Sequence, residues 1–401
     1  MQILVLNSGS SSVKYQFINM ETTKVLAEGI AERIGESVSL FTYKSDGYTK
    51  KKAEVKLSDH ENAIAMIIEH LLDKEHGVIK SKSEINAVGH RLVHAGEHYS
   101  GSVKIDDDVI RVMEECSMLA PLHNPANLKG VEAMLHLLPK IPQCGVFDTA
   151  FHQTMPPKAY LYALPLEFYT DYQIRRYGFH GTSHKFVSQL AADHLNKDIK
   201  DLKIITCHIG NGASMTAIKG GESIDTSMGF TPLEGLVMGT RCGDIDPAIP
   251  LYLMRHKDFS LDEVNTIMNK KSGMLGLSAI SNDMREIEQE ILENKNKNAI
   301  QAHEVYAYRI KKYIGSYTAA LNGLDMLVFT GGVGENMPIL RELVCEDMDF
   351  FGIELDSKTN DQFTSGILEL HTESSRVKIL KIPTNEELMI AMETMRLLNY
   401  K

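Results

Sequence analysis

The chain has 401 residues, enough for two hydrophobic cores, and its 43% apolar and 24% charged residues are in the proportions of a globular protein. No apolar run approaches the roughly 18 residues of a membrane span, and a formal net charge of -11 repels phosphate backbones, so bilayer and nucleic acid are set aside as partners. Five scattered cysteines (Cys116, Cys144, Cys207, Cys242, Cys345) contain no CxxC pair, which excludes a zinc ribbon or a disulfide framework and predicts reduced, mostly buried thiols.

In chain order, the first segment predicts a strand Ile3 to Asn7, a Gly/Ser loop Ser8 to Ser12, a strand Val13 to Ile18, a polar turn and a strand Lys24 to Ala31. Ser58 with Glu61 has the spacing of a capping box before a helix whose apolar stripe is Ile64, Ile67, Ile68, Leu71 and Leu72. Asn124 and Pro125 suit the cap and first position of another helix. Leu202 to Thr226 then repeats the opening design: strand Lys203 to His208, loop Ile209 to Ala213, strand Ser214 to Ile218, turn, third strand. Gly9 and Gly210 hold the same place in the two copies, which points to two related domains offset by about 200 residues. Ser260 with Glu263 caps a further helix, and a last helix is expected to open on a capping box from Thr384 to Glu387. No Pro/Ser-rich tether separates the halves, so a packed hinge is expected near Ala150. The start, Met1 to Leu4, lacks the basic and long apolar stretches of a secretory signal, and a cytoplasmic location is expected.

Three glycine loops follow buried strands: NSGSSS at 7–12, HIGNG at 208–212, and GGVGE at 331–335, with a helix expected to begin near Met337. Glycine lets backbone amides approach phosphate oxygens, and a helix N-terminus adds positive potential. One such loop alone is only a tight turn. Three of them, two in matching copies, favour a nucleotide held between domains. GxxxxGK[ST] is absent and so are the HRD and DFG signatures, so neither a P-loop enzyme nor a protein kinase is indicated. His90 with His94, and His180 with His184, have the i,i+4 spacing of zinc ligands, but no glutamate follows the first histidine of either pair.

LNSGSSSVKYQF, GHRLVHAG at 89–96, APLHNP at 120–125, FDTAFH at 147–152, RYGFHGTSH at 176–184, HIGNG, GTRCGDIDP at 239–247, FTGGVGEN at 329–336 and PTNEEL at 383–388 together resemble the acetokinase family, from the first strand to the last helix. The resemblance implies an α/β fold of two duplicated actin-like, ribonuclease H-like βββαβαβα domains. Residues 1–150 with a C-terminal helix 385–401 would form one, and residues 151–384 the nucleotide-binding other. It implies transfer of the ATP γ-phosphoryl group to a very small carboxylate, acetate first and propionate second, by a homodimer.

By the same resemblance, Arg91 and Arg241 hold the carboxylate and the phosphoryl group in flight, a role suited to a planar, permanently charged fork of donors. His180 donates to the same charge. Asp148 is the family's acid/base; because acetate is already ionised at neutral pH, it is expected mainly to orient magnesium, water or Arg91. Asn7 and Glu386 take Mg2+, or Mn2+, with Glu387 left to cap the helix. Val93, Leu122, Phe179 and Pro232 enclose the acetate methyl. Ser10, Ser12, Lys14, His208, Ile209, Gly210, Asn211, Gly212, Gly331, Gly332, Val333, Gly334 and Glu335 lie along ATP, and Asp283, Met284 and Arg285 around its adenosine. The rival reading, a non-catalytic ATP switch that opens and closes for a partner, has no use for Arg91, Arg241 or a methyl-sized pocket.

Overall fold

The computed structural model describes residues 1–121 and 123–399. The chain divides into two compact units, Met1–Gln153 with Asn385–Lys401, and Thr154–Thr384.

In the first unit, strands β1 (Gln2–Ser8), β2 (Ser12–Asn19), β3 (Lys24–Glu32), β4 (Ser39–Ser45), β5 (Tyr48–Val55), β6 (Ala87–Leu92), β7 (Val103–Lys104) and β8 (Gln143–Phe147) form one sheet in the order β5-β4-β3-β2-β1-β6-β8-β7. The expected meander is present, extended by a hairpin, β4–β5, that the sequence reading did not anticipate. β1 is a continuous apolar run because both its faces are covered. Leu4 and Leu6 pack with Val13, Tyr15, Phe17 and the helix His60–Leu71, while Ile3 and Val5 pack with Ala87, Val146, Ile390 and Ala391. Antiparallel pairing with β2 sets Asn7 opposite Lys14, and parallel pairing with β6 sets Asn7 opposite Arg91. Three sequence-predicted site residues therefore lie side by side across neighbouring strands.

The second unit repeats the plan. β9 (Lys203–Ile209), β10 (Ala213–Lys219), β11 (Glu222–Thr226), β12 (Met326–Thr330), β13 (Leu368–Glu369) and β14 (Lys378–Lys381) are ordered β11-β10-β9-β12-β14-β13. In both sheets an antiparallel meander is followed by two strands parallel to its first: β6 and β8 beside β1, β12 and β14 beside β9. This is the duplication expected from the matching glycine loops.

The helix Gly181–His194 follows the first sheet's strands in sequence but packs on β9 and β12, whereas Glu386–Leu397 follows β14 but packs on β1, β6 and β8. The latter approaches Gly89 closely: a Cβ there would lie 2.7 Å from both Ile390 Cγ2 and Thr394 Oγ1.

Helix starts depart from the sequence reading in four places. Asp59, not Ser58, caps His60–Leu71, accepting from the Asn62 amide. The helix Asn124–Leu137 begins after His123, because the Asn124 carboxamide is drawn to the backbone of His94. A short, unexpected helix opens at Gly331 itself, whose φ of 77° needs glycine, ahead of the helix expected near Met337, which starts at Pro338 with Met337 at its cap. Asn385 caps the C-terminal helix through the Leu388 amide, so the expected Thr384–Glu387 box is not formed. The Ser260–Glu263 box is formed as expected. All five cysteines are unpaired thiols, four of them buried.

Candidate active site

In the first unit the C-terminal ends of β6 and β8 and the start of the last helix converge. Arg91 Nε donates to Asp148 Oδ1 at 3.0 Å and its NH2 to Oδ2 at 2.8 Å, while NH1 lies 3.7 Å from Glu386 Oε2. Asp148 is 3% exposed. Burial pushes its carboxyl above the usual range, against the pull of Arg91 and with help from the Glu386 carboxylate, and the two carboxylates in turn raise the guanidinium. Lys14 pairs with Glu387, at the exposed edge of the same cluster. The Asn7 side chain makes no hydrogen bond within the described residues, whereas the neighbouring loop is firmly held. The Asn127 carboxamide accepts from the Val93 amide at 3.0 Å and donates to the Ser8 carbonyl at 2.8 Å. His60 Nε2 meets the Gly9 carbonyl at 2.7 Å. Ser10 is exposed and Ser12 half-buried on the turn between β1 and β2, and Val93 is buried. Leu122 lies outside the described residues.

Asn127 escaped the sequence reading. Its signal was present: Asn124 and Asn127 stand three apart at the start of a helix and share a face.

The second unit brings the remaining motifs together. Gly331 packs on the end of β9, its amide donating to Glu335 Oε1 at 3.0 Å, and Glu335 also accepts from the Thr384 amide at 3.1 Å. The Glu335 carboxylate thus shapes the GGVGE turn. The Gly239 amide donates to the Asn211 carbonyl at 2.9 Å, joining GTRCGD to HIGNG. His180 occupies a left-handed position, φ 56°, just before the helix Gly181–His194, and its ring stacks on His208 at 4.3 Å between centroids. A Cβ on Gly212 would lie 3.5 Å from Arg241 NH1 and 3.7 Å from His180 Nε2, so both groups flank that glycine. Phe179 is buried and Pro232 half-buried.

Arg241 NH1 donates to the Pro232 carbonyl at 3.2 Å, and no carboxylate among the described residues pairs with the guanidinium. Burial, with no counter-ion, lowers its pKa below the ordinary value. The rest of its donor fork is available to an anion.

A cavity of about 560 Å³ is lined by Gly210, Asn211, Asp283, Met284, Arg285, Gly332 and Val333, all of them expected, and by Asn282, Glu288, Asn336 and Met337, which were not. Asn282 and Glu288 sit within a few residues of expected positions but in none of the quoted motifs, whereas Asn336 closes FTGGVGEN. Asp283 caps its helix and pairs with Arg285, which holds its carboxyl down at about 2. Ile209 and Gly334 do not line this cavity but pack on one another, a Cβ on Gly334 meeting Ile209 Cβ at 3.5 Å. Among the described residues no group of three or more His, Cys, Asp and Glu has a metal-site arrangement.

Two sheets of one order, each ending in glycine turns, with a desolvated arginine beside one turn, are the frame of an actin-like, ATP-using phosphotransferase. Residues 2–392 match the acetokinase family, and the chain belongs to it. It is 54% identical to the acetate kinase of Thermoanaerobacter pseudethanolicus, over 99% of each chain, and 56% identical to that of Thermotoga maritima, over 98% of each. Its fold superposes on the crystal structure of Porphyromonas gingivalis acetate kinase with a TM-score of 0.96 at 50% identity, covering 99% of this chain and 100% of that one. A propionate kinase from Francisella tularensis gives 0.91 at 41% identity, covering 99% of each.

Proposed function

We propose that the protein transfers the γ-phosphoryl group of ATP to acetate, reversibly, giving acetyl phosphate and ADP. A carboxylate oxygen of acetate forms the new bond to phosphorus as the bond from phosphorus to the bridging β–γ oxygen breaks, and ADP leaves with that electron pair. The observation carrying this reading is Arg241: a desolvated guanidinium that pairs with no carboxylate among the described residues is a site for charge that arrives with the substrate. Catalysis then consists of positioning and charge neutralisation. Arg91, oriented by two hydrogen bonds to Asp148, takes the acetate carboxylate, and Arg241 with His180 takes the phosphoryl oxygens. Asp148 keeps Arg91 charged and aimed. The Gly210 to Gly212 and Gly331 to Glu335 turns offer backbone amides to the phosphates, and the cavity beyond them takes adenosine.

The donor pair Asn7 and Glu386 is all oxygen and would leave most of a coordination sphere to phosphate and water, which fits magnesium better than a soft metal. Magnesium, when bound with ATP, neutralises phosphate charge. We assign Glu386 to it rather than Glu387, whose carboxylate is held by Lys14. Glu386→Gln is expected to raise the magnesium concentration needed for half-maximal rate by about ten- to a hundredfold, and Glu387→Gln to leave it within about twofold. A magnesium titration of the two variants reverses the assignment if only Glu387→Gln shifts.

Acetate is preferred to propionate because the acetate kinases are the nearer in identity of the relatives compared, but one methylene separates the two by only about 1–3 kcal/mol in an apolar pocket. Incubation with MgATP, hydroxylamine and either acid is the test. Acetohydroxamate in excess of propionohydroxamate is expected. Phosphate release without hydroxamate identifies an ATP switch instead. A homodimer in the cytoplasm completes the reading, supported by exposed apolar side chains such as Leu166 and Leu251 in the second unit.

A further inference from the structure

His180 can donate a hydrogen bond from Nε2 as a neutral imidazole only if its proton is on that nitrogen, which requires Nδ1 to accept. The second unit contains a chain of side chains that decides the matter. Thr206 on β9 is fully buried, and its hydroxyl has one partner among the described residues, His184 Nδ1 at 2.7 Å. His184 Nε2 meets Ser214 Oγ, on β10, at 2.7 Å, and Ser214 Oγ meets His180 Nδ1 at 2.9 Å. Ser214 is also fully buried, and these two histidine nitrogens are the only partners of its hydroxyl there.

A hydroxyl has one proton, and burying it without an acceptor costs more than leaving a lone pair empty. The Thr206 proton therefore goes to His184 Nδ1, the only acceptor it has among the described residues. A neutral His184 then carries its own proton on Nε2 and donates to Ser214 Oγ. Ser214, having accepted from His184, sends its proton to His180 Nδ1. His180 is left with Nε2–H. The opposite polarity would strand the Thr206 proton in a dry interior.

We infer that Thr206, His184 and Ser214 form a one-way hydrogen-bond relay that fixes His180 in the Nε2–H form, so that a neutral imidazole presents a donor beside Arg241 NH1 at Gly212. The inference rests on the proposed part played by His180 in phosphoryl transfer, and it makes Ser214 and Thr206 positioning residues for that part. Nothing in the relay moves a proton during the reaction; its work is done when the protein folds. The left-handed backbone at His180, which sets the ring over His208 and within reach of Ser214, belongs to the same arrangement.

The test is 15N NMR of the histidine-labelled full-length protein at a pH where His180 is neutral, with its signals assigned by difference against His180→Gln. The expected spectrum shows, in His180 and His184 alike, Nε2 protonated and Nδ1 unprotonated but accepting a hydrogen bond. A His180 protonated on Nδ1 overturns the inference, whatever the activity assays give, because the tautomer is read without substrate. In kinetics, Ser214→Ala is expected to lower kcat about 10- to 100-fold, in the range found when a residue orienting a functional histidine is lost. KM for acetate and MgATP should stay within about twofold, and Ser214→Thr should restore most of the rate. An unchanged kcat in Ser214→Ala, with the His180 tautomer altered, denies the relay its catalytic part while leaving the transferase reading intact.

Discussion

Arg91→Ala is expected to lower turnover by about three orders of magnitude or more, the scale of losing an arginine that neutralises phosphoryl-transfer charge. The same change has a second effect, on stability. Asp148 is buried and takes both its strong hydrogen bonds from Arg91, with Glu386 close behind that guanidinium. Removing one partner of a buried pair leaves the other uncompensated and costs about 3–5 kcal/mol. The sign of the pH dependence follows. Asp148 already holds its proton more firmly than a free carboxyl, and without Arg91 it holds it more firmly still. Between the unfolded value, about 4, and the raised folded one, the native state binds more protons than the unfolded chain, so native stability falls as pH rises through that window. The melting-temperature gap between Arg91→Ala and the unsubstituted protein should therefore narrow on acidification. Arg91→Lys, which keeps the charge but not the two-point fork, should recover much of the stability while kcat stays depressed. A loss of less than tenfold in a folded Arg91→Ala removes this arginine from the reaction.

Arg241→Ala should cost a comparable share of kcat, at least about 10² to 10³, as for the loss of one preorganised donor to developing charge. Its stability should move the other way. Arg241 is partly buried with no carboxylate opposite it among the described residues, so alanine relieves a desolvation penalty and breaks hydrogen bonds only to Pro232 and Met238 there. The variant should melt at or above the temperature of the unsubstituted protein, the trade expected where a functional site keeps an uncompensated charge. Calorimetric scans beside kcat check this directly. Marked destabilisation of Arg241→Ala, or retained activity, would show that the guanidinium is structural. The loop that carries it is well braced in either case. Asp244 accepts from the Gly235 amide at 2.8 Å and from the Tyr313 hydroxyl at 2.7 Å, and Glu234 is tied to Arg176 and Tyr162.

These two arginines could be picked out from sequence, but the difference between them could not. Both sit in glycine-containing segments, and only the folded chain gives one a bidentate carboxylate and the other none. The strands of both meanders were legible to within a residue or two, because apolar runs ending in glycine turns are local signals. Helix starts were less so, since a cap is a competition. Thr384 had the spacing to cap the last helix, but its hydroxyl meets Ser183 and its amide meets Glu335, and the cap passed to Asn385. Asn124 was likewise taken by His94, far away in sequence. Glu335 read as one more residue along a phosphate loop, and Lys14 as a phosphate ligand; their partners, Gly331, Thr384 and Glu387, are set by tertiary contacts. Of the Thr206–His184–Ser214 relay only His184 stood out in the sequence, by its spacing from His180, because the other two members lie on strands outside any motif.

The membership of the last helix, Glu386–Leu397, in the first unit has a consequence for how the protein is made. Ribosomes deliver a chain from its N-terminus, and domains ordinarily fold in that order. Here the second unit has all its strands and its helix Gly181–His194 once Thr384 has emerged, while the first still lacks the helix that covers Ile3, Val5, Ala87 and Val146. The half of the molecule translated first is thus completed last. Glu386, at the head of that helix, takes its place beside Arg91 only in this final step, so an interrupted chain exposes a sticky sheet face and carries no finished carboxylate cluster.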